Sequence, residues 1–128
     1  MLIPFLMLAS CMTLSEQGFR DQGVKESFTV QRNYQDAYRG LSAEMKRCYQ
    51  VGMITASTVV QSELFTDIRK GTITTALSGG FGNKTMLVVD IVSLDDGSSR
   101  IDVISNPSKA SSFQNVNGFF SGNPMCQR

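Results

Sequence analysis

The order of apolar and polar residues predicts one long helix near the start of the folded region. Asn33 and Asp36 form a helix start of the capping-box type, because the Asn33 side chain can accept an amide of the first turn and Asp36 suits the positive helix end. We expect the helix to end before Gly52. Its apolar residues recur at helical spacing and form one stripe: Tyr34, Ala37, Tyr38, Leu41, Met45, Cys48 and Tyr49.

Alternation with a period of two predicts strands on both sides of this helix. A short strand over 28–32 precedes it, with Phe28 and Val30 on one face. Three or four more strands are expected after it, within 53–65, 73–77, 86–94 and 101–104, separated by a turn at 67–71 and a glycine-rich loop at 78–83. An antiparallel sheet is the expected product.

The segment Asp95-Asp96-Gly97-Ser98 predicts a hairpin, and the pairing across it decides which residues share a face. If Leu94 pairs with Ser99, both faces of the hairpin are partly apolar. The long helix can cover only one of them, so the other needs a partner or another part of the chain. One face then holds Val88, Val92, Leu94, Ile101 and Val103, and the other holds Leu87, Val89, Ile91 and Ile104.

The tail is the candidate cover for the second face. The segment Asn106-Pro107-Ser108 suits a helix start, and Gly122 and Pro124 would end the helix. Apolar residues recur between them at helical spacing, namely Ala110, Phe113, Val116 and Phe120. These elements predict a single α+β domain over 26–128. We expect a long N-terminal helix and a shorter C-terminal helix, packed on a four- to five-stranded, mostly antiparallel sheet.

The first eleven residues have the form of a bacterial lipobox. An apolar run from Leu2 leads into Leu8-Ala9-Ser10-Cys11, which predicts a signal peptide over 1–10, cleavage before Cys11 and fatty acyl chains on the Cys11 sulfur. A basic segment normally precedes the apolar run, so we expect a start codon further upstream. The alternative is a buried first strand or helix. Pro4 and the shortness of the run disfavour that, and the run is far below the roughly 20 residues of a membrane span.

Residues 11–25 read as a lipidated cysteine followed by a flexible tether. The segment after Cys11 is polar, lacks sustained periodicity and contains Gly18 and Gly23. Because Met12 is not an aspartate, the common inner-membrane retention signal is missing, and sorting to the outer membrane is expected by resemblance to Gram-negative lipoproteins.

Charge and cysteine content limit the remaining function classes. The 12 Lys and Arg residues nearly balance the 11 Asp and Glu residues and are scattered, which gives no basic stripe for nucleic acid. With Cys11 consumed by lipid, Cys48 and Cys126 remain in an oxidising compartment, where a disulfide is the usual outcome. The alternative is two buried free thiols.

Candidate chemistry is sparse. The chain has no histidine, which removes the commonest general base and zinc ligand, and we expect no catalytic residues, metal or cofactor. Asp90 and Asp102 could form a paired-acid site, but the hairpin pairing above sends them to opposite faces. Gly79 to Lys84 lacks the spacing of a phosphate-binding loop.

Three aromatic residues are possible contacts. Phe81, at the tip of the glycine-rich loop, could anchor a partner or fold back onto the sheet edge. Tyr34 and Tyr38 could line a ligand groove between helix and sheet, although such residues are more often core.

The lipobox, the tether, the Tyr-Gln-Asp-Ala-Tyr-Arg helix with Cys48 near its end, and the tail with Cys126 together resemble small proteobacterial lipoproteins. Their shape is similar to helix-grip domains of the kind found in the BamC lipoprotein of the outer-membrane assembly machinery. The resemblance implies an envelope location and a helix-on-sheet sandwich, and it carries no catalytic residues.

The function expected from the sequence is therefore binding and not catalysis. We expect a lipid-anchored envelope protein, on the periplasmic face of the outer membrane, that contacts another protein through a sheet edge, the second sheet face or the Phe81 loop. The alternative is a carrier of a small apolar ligand in the groove between helix and sheet. A histidine-free enzyme is third.

Overall fold

The domain consists of one antiparallel sheet with helices packed on both of its faces. The structure, a computed structural model, describes residues 11–52, 56–79, 82–106 and 111–126. The elements in chain order are α1 (Cys11–Gln22), β1 (Val24–Val30), α2 (Tyr34–Tyr49), β2 (Val51–Gly52), β3 (Ala56–Phe65), β4 (Lys70–Gly79), β5 (Gly82–Ser93), β6 (Ser99–Ser105) and α3 (Ser111–Phe120). The α+β class is confirmed.

The sheet has five long strands and the two-residue strand β2, in the order β1-β6-β5-β4-β3-β2. Every neighbouring pair is antiparallel. Strands β3 to β6 pair in chain order, each with the next, whereas β1 pairs with β6, which is distant from it in the sequence. This arrangement places β1 at one edge of the sheet.

The long helix α2 begins where the sequence predicts. Asn33 has extended backbone angles (φ −60°, ψ 143°), and its side chain accepts a hydrogen bond from the Gln35 amide at 2.8 Å. Ala37, Leu41 and Met45 are fully buried on the stripe that faces the sheet. The helix is not N-terminal, however, which corrects that part of the predicted fold, because another helix, α1, precedes it in the chain.

The core lies between the sheet and the two helices α2 and α3. We call this side of the sheet the helix face; its central residues are Ile73, Val89, Ile91, Ile101 and Val103, all fully buried. The tail helix α3 is confirmed, but it packs on this same face beside α2. Its residues Phe113 and Phe120 contact Phe28 edge-on, at centroid distances of 5.5 and 5.9 Å.

The hairpin pairing predicted from the sequence is wrong by one residue. The Gly97 amide donates to the Leu94 carbonyl at 3.1 Å and Gly97 has φ +86°, so the turn itself contains three residues. Ser93 therefore pairs with Ser99, where we expected Leu94 to do so. A shift of one residue exchanges the faces of a whole strand, and it moves Ile101 and Val103 to the helix face.

The other side of the sheet, which we call the α1 face, carries Val88, Asp90, Asp102 and Ile104. All four residues are buried. Helix α1 occupies the segment predicted as a flexible tether, and this is a correction. Arg20 binds Asp90 across the sheet surface, and Gly23 lies so close to the sheet that an added Cβ would come within 2.8 Å of the Ile104 Cγ2 atom. Tertiary contacts of this kind stabilise a segment whose own helix propensity is weak.

Candidate functional site

The observed pairing brings two aspartates together on the α1 face. Asp90 of β5 stands directly opposite Asp102 of β6, whereas the predicted hairpin pairing puts them on opposite faces. Directly opposed residues of neighbouring strands have Cβ atoms about 5 Å apart, so two ionised carboxylates at this position repel each other. Their side chains are 7% and 4% exposed, and each therefore needs its own compensating partners.

Asp90 is compensated mainly from helix α1. Arg20 Nη1 donates to Asp90 Oδ2 at 2.6 Å and Arg20 Nη2 donates to Oδ1 at 3.1 Å, which is the two-pronged geometry that suits a guanidinium and a carboxylate. The hydroxyl of Thr72, opposite on β4, donates to Oδ1 at 2.9 Å. Lys70 Nζ lies farther away, at 3.9 Å from Oδ2.

These partners keep Asp90 ionised. Burial by itself favours the neutral acid, but the hydrogen bonds and charge of Arg20, with smaller contributions from Thr72 and Lys70, outweigh it and hold the pKa of Asp90 below its ordinary value. Because the folded-state pKa is depressed, the stability that this carboxylate contributes is present above its unfolded-state pKa. It is lost as the pH falls through the folded-state pKa.

Asp102 is compensated from the sheet itself. Ser27 Oγ, on β1, donates to Asp102 Oδ1 at 2.7 Å. Arg100 Nε donates to the same oxygen at 3.0 Å and Arg100 Nη2 donates to Oδ2 at 3.2 Å. Lys25 Nζ lies 3.9 Å from Oδ2. Among the described contacts, the carboxylate of Asp102 is held by β1 and β6, and that of Asp90 by α1 and β4.

The chemistry open to this pair is limited by its partners. A general acid needs a pKa raised toward neutrality, and Asp90 is shifted in the opposite direction. Both oxygens of each carboxylate already accept hydrogen bonds from protein donors. The arrangement is that of an ion-pair cluster that attaches α1 to the sheet. Sequence reasoning missed Arg20, although an aspartate inside the apolar run Val88 to Val92 was a signal that a charged partner must exist.

A second feature is the end of the chain, which is tied to α2. Cys48 and Cys126 form a disulfide with a Cα–Cα distance of 5.7 Å, which confirms the predicted bond. The Met125 amide donates to Glu44 Oε2 at 3.0 Å. The tail turns at Gly122, where φ is +97° and the Asn123 amide reaches back to the Gly118 carbonyl, as in a Schellman helix end.

This tail forms one wall of a surface groove of about 350 Å³. The groove is lined by Arg32, Glu44, Phe119, Gly122, Asn123 and Pro124. Its volume falls at the lower end of the range for small-ligand sites. The groove does not include the tyrosines of the α2 stripe.

Of the three aromatic residues predicted as possible contacts, the two tyrosines lie in different surroundings. Tyr34 is buried in the core, and the ring of Tyr38 packs directly on Gly71, where an added Cβ would lie 2.6 Å from Tyr38 Cδ2. Phe81 and residues 1–10 lie outside the described residues. Cys11 is the first residue of α1, and its side chain also lies outside the described part.

Comparisons with family models, with curated proteins and with solved structures give no match for this chain. No helix in the described ranges is long and apolar enough to cross a membrane. Across those same ranges, no three acidic or cysteine side chains are grouped in a way that could hold a metal ion.

Proposed function

We propose that this protein is a lipid-anchored cell-envelope protein with a binding or accessory role, which contacts another envelope protein. The observation that carries the proposal is the lipobox Leu8-Ala9-Ser10-Cys11. The disulfide between Cys48 and Cys126 supports an oxidising compartment outside the cytosol. With Met12 after the lipidated cysteine, we assign the protein to the periplasmic face of the outer membrane.

The described structure favours one of the three contact surfaces, the edge strand β1. Its first four residues are exposed, and only β6 pairs with it among the described strands. The second sheet face is occupied by α1, which leaves less of it for a partner. A strand with one unpaired edge can accept an extended segment of another protein through main-chain hydrogen bonds. We assign no catalytic step, metal or cofactor to the protein.

The alternative is a carrier of a small apolar ligand in a groove between helix and sheet. The groove described above lies elsewhere, between α2 and the tail. That groove presents Phe119 and Pro124, but also the charged side chains of Arg32 and Glu44. Carrier sites for apolar ligands are lined mainly by apolar and aromatic side chains. Protein contact therefore ranks first.

Replacement of Cys11 tests the anchor. We expect Cys11→Ser to abolish palmitate labelling and to move the protein from the membrane fraction to the soluble fraction, because the proposed lipid is attached through the Cys11 thiol. The Cys48→Ser variant is the matched control, and it should keep its label. Unchanged labelling of Cys11→Ser would refute the lipid anchor.

A photo-crosslinking residue tests the β1 edge. Placed at Glu26 of β1 in intact cells, it should give a defined adduct with an envelope protein, whereas the same residue at Asp36, an exposed acid on α2, should give none. Equal adduct patterns at the two positions, or none at Glu26, would argue against β1 as the contact surface.

A further inference from the structure

Helix α1 is attached to the sheet at its C-terminal end. Arg20, in its last turn, makes the paired hydrogen bonds to Asp90, and Gly23 follows in close contact with Ile104 and the Ser105 carbonyl. The Gly23 amide also donates to the Phe19 carbonyl at 2.7 Å and so closes the helix at this point. The position of the helix end is therefore defined by contacts from both its side chains and its backbone.

We propose that α1 is a docked spacer, held by the Arg20–Asp90 latch, that sets how far the folded domain stands from the membrane. The proposal rests on the lipid anchor at Cys11 for its membrane part. The docking of α1 through Arg20 is independent of that anchor.

The length of α1 determines how far the domain can stand from the membrane. The 12 residues of α1 span about 18 Å as a helix, at about 1.5 Å per residue. The same residues in an extended chain reach about 40 Å. With α1 docked, the domain and its β1 edge stay at the surface of the membrane that holds Cys11. Release of the latch would free the segment from the sheet and raise its maximum reach to about twice the length of the helix.

Asp90 and Asp102 differ in how far their hydrogen-bond partners depend on α1. Asp102 has partners from the sheet, Ser27 and Arg100, that remain when α1 leaves. Asp90 would keep Thr72 and the more distant Lys70, and would lose both of its hydrogen bonds to a guanidinium. Departure of α1 therefore exposes the Asp90 carboxylate to water. Docking of α1 buries this carboxylate again and needs the positive charge of Arg20 to compensate it.

Hydrogen exchange measured by mass spectrometry tests the latch on soluble protein that carries Cys11→Ser. We expect Arg20→Gln to speed exchange of the α1 amides by about tenfold or more, while β5 and β6 keep their protection. Arg39→Gln removes an exposed positive charge from α2 and serves as the matched control, with no change in α1. Unchanged exchange of α1 in Arg20→Gln, or exchange already as fast as in an unfolded peptide without the mutation, would overturn the latch.

Energy transfer tests the spacer role on the lipidated protein in vesicles. A donor at Asp95, in the exposed turn between β5 and β6, and an acceptor dye in the bilayer should report a longer distance for Arg20→Gln than for Arg39→Gln. Faster exchange with an unchanged distance would overturn the spacer role and leave the latch standing. Failure of Cys11 to carry lipid would overturn the proposed function and the spacer role together, and the exchange experiment would still decide the latch.

Discussion

Removal of the disulfide is expected to lower the free energy of unfolding by up to about 4 to 5 kcal/mol, which is the upper figure of the chain-entropy account. The bond joins residues 78 positions apart, so in the chain-entropy account it restricts the unfolded chain strongly. The variant Cys48→Ala/Cys126→Ala removes both thiols and avoids new disulfides. Equilibrium unfolding in urea measures the change.

The control for this experiment is chemical reduction of the unmutated protein. Reduction should lower the urea midpoint to a similar extent and should leave the double variant unaffected. A reduction-insensitive midpoint in the unmutated protein would contradict the bond. The hydrogen bond from the Met125 amide to Glu44 Oε2 is a second link between the tail and α2.

The second large effect is expected at the centre of the core. Ile101→Ala should destabilise the domain by about 2 to 5 kcal/mol, because it removes buried methyl groups and leaves a cavity that a sheet position cannot easily close. Ile101 is fully buried on the helix face, between Phe28 on β1 and Ile91 on β5. Urea unfolding again provides the measurement.

Ile68→Ala provides the matched control, since Ile68 is 61% exposed in the turn between β3 and β4. The same substitution there should change the free energy of unfolding by less than about 0.5 kcal/mol. If both variants lost the same stability, or if Ile101→Ala lost none, the placement of Ile101 in the buried core would be wrong.

Signals from neighbouring residues predicted the start and the buried face of α2 correctly. The Asn33 cap and the apolar stripe need only a few neighbouring residues to be read, and both appear in the structure as predicted. The tail helix followed from the same kind of spacing, and it ends at Phe120, just before the turn at Gly122. The disulfide followed from the cysteine count, which depends on composition and compartment and not on detailed geometry.

The aspartate pair could not be predicted in the same way. Whether Asp90 meets Asp102 depends on one residue of pairing across the hairpin, and the turn type that decides it follows from the backbone angle at Gly97. The turn residues themselves are compatible with loops of several lengths. An error of one residue there was enough to separate two acids that the structure places opposite each other.

By itself, the sequence determined the α+β class, the long helix and its cap, the antiparallel strands, the disulfide and a candidate site of lipid attachment. Each of these depends on residues close together in the chain or on composition. Only the tertiary structure decided that α3 shares a face with α2 and that α1 covers the opposite face. The physical reason is that α1 is polar and is held by Arg20 on Asp90, a contact between residues 70 positions apart that no local pattern encodes.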